Sequence, residues 1–268
     1  MLRATELLFI VSGALTCVAC GTLPNGRGVG QDATLWPGAE RVKQAAYAAA
    51  IETRTWAPAL GAVIAGTTRI DDTVAEFVRK NSPVYGSQFE ANRASGTLRS
   101  VTIIAAYASL LAAPGAGEPA EAALAKTNML GVHLTANLAT VGTTSLLKTV
   151  SNRMRPDKSD DRSFPSGHAS SAFMHASFAH QNIALLNVND TAKTVLQVGV
   201  DLAAIGTGWA RIEAGVHYPS DVLAAAALGN FFAKFFYNAF MGLDSAATIY
   251  ITPGATARES LFGFQVAF

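Results

Sequence analysis

Long alanine-rich stretches with helical spacing and few charges limit most strongly how this chain can fold. The stretch Thr127–Leu147 has no formally charged side chain over 21 residues, and only 15% of the whole chain is charged. An average globular domain has about 25%. Polar groups inside such stretches, here His133 and Asn137, are costly at bilayer depth unless they face a protein interior. We therefore expect helices that pack mainly against one another, with some membrane contact.

Apolar residues recur at three- and four-residue spacing along most of the chain, which predicts amphipathic helices. Half of all residues are hydrophobic, so the 268-residue chain can bury a large core. The net charge of +1 argues against a strongly basic nucleic-acid binder. We assign residues 38–243 to one helical domain. The predicted helices lie near residues 38–52, 56–68, 97–113, 119–150, 166–187, 191–209 and 219–241.

The first twenty residues have the pattern of an export signal. An apolar run from Leu7 to Val18 follows Arg3 and is short for a transmembrane span. A small residue before Cys20 and a glycine after it resemble a bacterial lipoprotein processing site, although Cys17 stands where such sites usually have leucine. Simple cleavage near Ala19 and an uncleaved anchor are the alternatives. We predict a leader over 1–20, a linker over 21–37, and an exported bacterial envelope protein on the periplasmic side, membrane-associated as a lipoprotein or an integral protein.

The last 25 residues, 244–268, change character. Ala247–Ile251 is rich in β-branched and aromatic residues, and after a turn the apolar residues alternate, with Phe262, Phe264 and Phe268 on one face. This pattern predicts a short C-terminal β-hairpin packed on the helical body. It also resembles the last strand of outer-membrane barrels, but one hairpin has unsatisfied edges and does not span lipid alone.

The first of three chemically informative clusters is basic. Lys148 and Arg155 are seven residues apart, about two helical turns, so that both fit on one helix face. Pro156 disfavours helix at Arg155 and places its guanidinium where the helix gives way to a loop. Alone, this pattern is equally typical of a solvated helix end.

The second cluster is the segment Pro165-Ser166-Gly167-His168. It opens a predicted helix, whose free N–H groups and positive dipole end favour an anion. His168 lies in that first turn. Without partners, the segment would be an ordinary helix start with a surface histidine.

The third cluster contains Arg211, His217 and Asp221. Pro219 suits the first position of a helix, so a helix should begin beside His217. Asp221 lies four residues after His217 and is able to accept a hydrogen bond from one ring nitrogen, which leaves the other nitrogen free to attack. This is the arrangement of a nucleophilic histidine and its orienting carboxylate.

Order and spacing make the three clusters more specific together than apart. In the first cluster six residues separate Lys148 from Arg155-Pro156, and the second is Pro165-Ser166-Gly167-His168. In the third, five residues separate Arg211 from His217 and three separate His217 from Asp221. This closely resembles the tripartite signature of the type 2 phosphatidic-acid phosphatase superfamily, which also holds bacterial acid phosphatases and vanadium haloperoxidases. One departure is Ala210, where the family usually has serine.

The resemblance implies an all-α helical bundle of the phosphatidic-acid phosphatase and haloperoxidase type, and a role for each matching residue. His217 attacks phosphorus and forms a phosphohistidine, Asp221 orients it, and His168 protonates the leaving oxygen and later activates water. The groups that hold the phosphate oxygens are then Lys148, Arg155, Arg211, Ser166 and the Gly167 N–H. Because these cations stabilise the charge spread over three oxygens, no metal and no cofactor is expected.

Other titratable residues have plainer interpretations. We expect His175 to support the site from behind or to lie in the core, and His133 and His180 to be structural. A charged loop beside the site contains Asp157, Asp160, Asp161 and Arg162. It is either solvated or positioned to gate substrate.

The leading functional hypothesis is a phosphatase for phosphate monoesters or diphosphates of lipids, working at a membrane surface. Alternatives are a nonspecific periplasmic acid phosphatase on small phosphomonoesters, a vanadium haloperoxidase, and a non-enzymatic envelope protein. The filled catalytic positions argue against the last. Phe231, Phe232, Phe235 and Phe236 cluster on the predicted last helix. They fit either the core or an acyl or prenyl groove.

Overall fold

The computed structural model describes residues 22–23, 26–115 and 118–242, and over these ranges it contains eight α-helices and no β-strand. The expectation of an all-α fold is confirmed for these residues. Cys20, with the predicted leader, and the predicted hairpin over 244–268 lie outside them. The helices are α1 (Ala39–Ile51), α2 (Thr53–Thr67), α3 (Ile70–Asn81), α4 (Gln88–Ala112), α5 (Pro119–Ser151), α6 (Gly167–Ala184), α7 (Asp190–Glu213) and α8 (Pro219–Phe240).

Helix α3 is the main difference from the sequence-based prediction, which had no helix between residues 68 and 97. This segment lacks the alanine richness of the others. It nevertheless has Asp71 and Asp72 in its first turn and Arg79 and Lys80 in its last, the distribution that the helix dipole favours. Helix α4 also begins earlier than predicted, at Gln88, where the side chain of Ser87 accepts a hydrogen bond from the Glu90 backbone.

Helices α6 and α8 form the centre of the bundle. Helix α6 packs on α4, α5, α7 and α8, and helix α8 also packs on α1 and α2. Small side chains let the two central helices approach closely, and Gly229 marks the tightest point. A Cβ atom there would lie 2.5 Å from the Ser170 carbonyl oxygen and 2.8 Å from the Met174 nitrogen. Close packing of this kind is sensitive to a single added methyl group.

Polar groups inside the apolar stretches face other parts of the bundle. Asp201 on α7 forms an ion pair with Arg54 on α2, at 2.6 Å. His133 is fully buried and stacks on Phe178, with ring centroids 4.6 Å apart. His175 meets the edge of the His133 ring at 5.0 Å, so these two histidines belong to an aromatic core.

Many large apolar side chains of the outer helices face outward. They include Leu60 on α2, Ile104 on α4, Leu138 and Leu146 on α5, and Leu202 on α7. Among the described residues one helix, α4, is long and apolar enough to cross a membrane, which by itself is weak evidence of spanning.

The three sequence clusters meet at one end of the bundle because three backbone hydrogen bonds connect their loops. The Ser163 N–H donates to the carbonyl of Arg153 at 2.9 Å, which closes the loop after α5. The Ser166 N–H donates to the carbonyl of Asp221 at 3.1 Å and joins the starts of α6 and α8. The Asp157 N–H donates to the carbonyl of Gly215 at 3.0 Å and joins the loops before α6 and α8.

Candidate active site

His217 and Asp221 form the buried centre of the site. His217 is 2% exposed and Asp221 is fully buried in the first turn of α8. Nδ1 of His217 lies 3.7 Å from Oδ2 of Asp221, an ion-pair distance somewhat longer than a hydrogen bond. This nitrogen has no hydrogen-bond partner in the described part of the chain. The structure therefore places the two predicted residues side by side, with their facing atoms farther apart than in a hydrogen bond.

The environment of His217 favours its neutral form. Burial lowers the pKa of His217 to about 4, and the Asp221 carboxylate offsets this only in part. Arg211 adds to the lowering. An imidazole that stays neutral at physiological pH retains the lone pair that a nucleophile needs.

The Asp221 carboxylate is held by donors on three sides. Oδ2 accepts hydrogen bonds from the Tyr218 N–H at 2.8 Å and from the Ser163 hydroxyl at 2.5 Å. Oδ1 accepts from Nη1 of Arg153 at 2.7 Å. Burial opposes ionisation of Asp221, but His217, Ser163 and Arg153 together lower its pKa. The carboxylate is therefore charged and fixed.

Three predicted phosphate-binding cations lie near the centre. Lys148 is on α5 and Arg211 on α7, whereas Arg155 lies in the loop after α5 and so does not share a helix face with Lys148 as expected. Lys148, in the last turn of α5, donates to the carbonyl of Arg162 at 2.5 Å. Arg155 pairs with Asp160 at 2.6 Å, and Arg211 donates to the Asn92 side chain at 2.5 Å. Burial, followed by repulsion from Arg155, lowers the pKa of Lys148 to about 8. The cations are close enough to act on one another.

Several buried polar atoms here have no hydrogen-bond partner among the described residues. They include the Ser166 hydroxyl, at the start of α6, and Nε of Arg211. At Gly167 an added Cβ would lie 3.9 Å from Cε of Lys148, which places the lysine stem against the first turn of α6. Buried polar groups are normally satisfied, so such a set indicates a place for a ligand with several acceptors.

His168 lies half-buried in the first turn of α6, within the same positive field. Burial, and then the charges of Arg211 and Arg99, lower the pKa of His168 to about 4. The free site therefore holds His168 without its proton. An anion that neutralises the two arginines would raise this pKa.

Sequence reasoning missed three residues at this end of the bundle: Arg99, Arg153 and Asp71. Nε of Arg99 is buried with no partner among the described residues. Arg153 reaches Asp221, and Asp71 lies in the helix that was not predicted. Arg153 lies two residues before Arg155, so the sequence showed that this segment is basic. Nothing in the spacing distinguished the role of Arg153 from that of Arg155.

The other histidines lie away from this centre. Nδ1–H of His175 donates to the Ser171 carbonyl oxygen at 2.7 Å, and His180 lies beside the Arg54–Asp201 pair. In the described ranges no group of three or more His, Cys, Asp or Glu residues is arranged to hold a metal ion.

Residues 130–243 match the family model of the PAP2 superfamily, and this range contains all eight predicted catalytic and phosphate-binding residues. The resemblance read from the three clusters is thereby confirmed.

Among solved structures, the chain is similar to the crystal structure of the first transmembrane PAP2 type phosphatidylglycerolphosphate phosphatase from Bacillus subtilis. Identity is 21%, the match covers 68% of this chain and 92% of that chain, and the TM-score is 0.48. A comparison with curated proteins finds no match.

Proposed function

We propose that this PAP2 protein is a phosphatase that hydrolyses phosphate monoesters or diphosphates of lipids through a phosphohistidine. The observation that carries the proposal is the set of unpartnered buried donors, Ser166 Oγ and Arg211 Nε, beside the neutral His217. A phosphoryl group supplies acceptors for these donors and negative charge for the cations around them.

The proposed reaction has two steps. His217 attacks phosphorus through Nε2, because Nδ1 faces Asp221. The N–P bond forms as the bond to the leaving oxygen breaks, and His168 gives that oxygen its proton. His168 then takes a proton from water, whose oxygen attacks phosphorus and breaks the N–P bond. Phosphate leaves and His217 is restored.

The cations supply the charge stabilisation in this scheme. Lys148, Arg155 and Arg211 face the three equatorial oxygens, where negative charge is spread in the transition state. We therefore infer that no metal is needed. Turnover should survive EDTA and be inhibited by vanadate, which adopts a five-coordinate geometry like the transition state. Loss of activity on chelation that Mg²⁺ restores would contradict this.

An apolar cavity beside the site supports a lipid substrate. It has a volume of about 530 Å³ and lies between α2, α5 and α8. Leu147, Phe164 and Pro165 line it, and these residues directly precede Lys148 and Ser166 in the chain. Phe231, one of the four clustered phenylalanines, lines the same cavity. An acyl or prenyl chain in this cavity would gain about 25 cal/mol for each Å² of apolar surface covered.

Membrane association is part of the same proposal. The outward apolar side chains of α2, α4, α5 and α7 would contact lipid near the substrate. We also propose export and lipidation at Cys20, which mass spectrometry of the mature N-terminus tests. An unmodified residue after Ala19 would rule out lipidation.

The deciding experiment compares two substrates with the purified full-length chain. We expect kcat/KM to be higher for phosphatidate or a prenyl diphosphate in mixed micelles than for a small soluble phosphomonoester. Equal or better turnover of the soluble ester would favour a nonspecific acid phosphatase instead. No phosphate release from either substrate would contradict the phosphatase proposal itself.

A further inference from the structure

Arg153 follows directly after helix α5 and reaches across to two other helices. Asn152 ends α5 in the left-handed conformation, with φ at 42°, and thereby turns the chain toward α3 and α8. Nη2 of Arg153 donates to Asp71 on α3 at 2.7 Å, and Nη1 donates to Asp221 on α8 at 2.7 Å. One guanidinium therefore joins two carboxylates from separate parts of the sequence.

Asp71 completes the far side of this arrangement. Its side chain is 5% exposed, and its Oδ1 accepts a hydrogen bond from the Ser220 N–H at 2.8 Å. The Ser220 hydroxyl donates to the other oxygen of Asp71, and it also accepts from Nη1 of Arg153 at 2.7 Å. Asp71 thus fixes both the guanidinium and the first turn of α8.

The phosphate-binding groups and Arg153 have separate partners. The two terminal nitrogens of Arg153 donate to Asp71, Ser220 and Asp221. The guanidinium carbon of Arg153 lies 4.2 Å from the centre of the Tyr218 ring. Arg153 therefore donates to Oδ1 of Asp221, whereas Tyr218 and Ser163 donate to Oδ2. Such geometry suits a residue that orients a carboxylate, and it does not suit a phosphate ligand.

We infer that Arg153 and Asp71 are positioning residues, which hold the Asp221 carboxylate in place against His217. The inference rests on the proposed function, because it assigns His217 as the nucleophile. The chain of contacts runs from Asp71 through Arg153 to Asp221 and then to His217. Without Arg153 the two buried carboxylates would lose the cation between them, and Asp221 would keep its donors at Oδ2 but lose the one that fixes Oδ1.

The principal variant is Arg153→Gln. We expect kcat to fall by about 100-fold, the loss typical of a misplaced catalytic group, while KM changes by less than about threefold. The small KM effect follows because Lys148, Arg155 and Arg211 remain. Arg153→Lys keeps the charge but not the two-armed geometry, so its kcat should lie between those of the wild type and Arg153→Gln.

A matched control separates positioning from general stabilisation. Arg54 also grips a carboxylate with two nitrogens, at 2.8 and 2.6 Å from Asp201, and it too joins distant helices. Arg54→Gln should lower the unfolding temperature without a comparable loss of kcat. If Arg153→Gln fails to fold, the double variant Arg153→Gln/Asp71→Asn removes the repulsion and should fold, with kcat still low.

Two outcomes would overturn the inference. One is a folded Arg153→Gln enzyme with kcat within about threefold of the wild type, and the other is a rise in KM with kcat unchanged, which is the mark of a substrate ligand. A readout without turnover keeps the test separate from the proposed function. The ¹⁵N chemical shifts of His217 should indicate the Nδ1–H tautomer in the wild type and a mixture in Arg153→Gln. Unchanged shifts would contradict positioning even if the protein were no phosphatase.

Discussion

Arg155 and Asp160 form an ion pair, with Nε and Oδ1 2.6 Å apart, so a proposed phosphate ligand is already bound to a carboxylate of the neighbouring loop. Asp160 also accepts a hydrogen bond from the Arg162 N–H at 2.9 Å, which tightens the turn of this loop. A phosphate group that binds Arg155 has to compete with this carboxylate.

Asp160→Asn should therefore tighten substrate binding. The amide retains an acceptor for the Arg162 N–H but loses the charge that competes for Arg155. Exposed ion pairs contribute about 0–1 kcal/mol, so KM should fall by up to about fivefold. Asp161→Asn is the control, because it removes the same charge from the next position. Steady-state kinetics of both variants decide the matter, and equal shifts would indicate a general charge effect.

The two site histidines should differ in the step that they affect. His217→Ala should abolish turnover and the phosphoenzyme together, because no other nucleophile replaces the imidazole. His168→Ala should slow both formation and hydrolysis of the intermediate, with less effect on formation from esters with good leaving groups. Rapid quenching with ³²P-labelled substrate measures both steps. Substantial activity in His217→Ala would show that the nucleophile is assigned wrongly.

Anion binding should be coupled to protonation of His168. In the free site the pKa of His168 is lowered to about 4 by burial and by Arg211 and Arg99, so the imidazole is neutral at pH 6. A bound dianion offsets the arginines and raises this pKa, so binding takes up a proton. The dissociation constant should then rise with pH above about 4, by at most about tenfold per pH unit.

Sulfate is a suitable probe, because it stays a dianion across this range. Calorimetry at pH 6 in buffers of different ionisation enthalpy measures the proton uptake. His168→Gln should lose the uptake, while His180→Gln, beside Asp201, should keep it. Proton uptake that persists in His168→Gln would show that another group binds the proton.

The sequence patterns marked the proposed site residues more clearly than they marked the residues around them. Pro219 marks the start of α8, as predicted, whereas α5 already ends at Ser151, before Pro156. Arg153 and Asp71 were not predictable, since their contact depends on how α3 packs against the start of α8. The apolar cavity likewise exists only once α2, α5 and α8 have packed.

The contact between α6 and α8 should tolerate no added methyl group at Gly229. A Cβ atom there would meet the Ser170 oxygen and the Met174 nitrogen, and backbone atoms move less easily than side chains. Gly229→Ala should therefore lower the free energy of unfolding by about 1–3 kcal/mol. Gly199→Ala is the control, since a Cβ at this exposed position on α7 meets nothing within 4 Å. Gly199→Ala should raise the free energy of unfolding by up to about 1 kcal/mol. Denaturant titration in one buffer and detergent compares them, and equal effects would contradict the tight contact.

Filling the apolar cavity should separate lipid from soluble substrates. Ala62 lines this cavity from α2, and the described residues that line the cavity with it carry no charge. In Ala62→Phe the added ring should fill part of the cavity and leave about 60 Å² of the substrate chain uncovered. This loss of apolar contact should lower kcat/KM for a long-chain lipid phosphate by about tenfold. A small soluble phosphomonoester should be turned over as in the wild type, because its phosphate contacts are unchanged. Thr135→Phe is the matched control, since Thr135 lines a separate cavity of about 250 Å³ that also touches Phe236 and Phe240. Equal losses for both substrates, or the same selective loss in Thr135→Phe, would remove the large cavity as the chain-binding site.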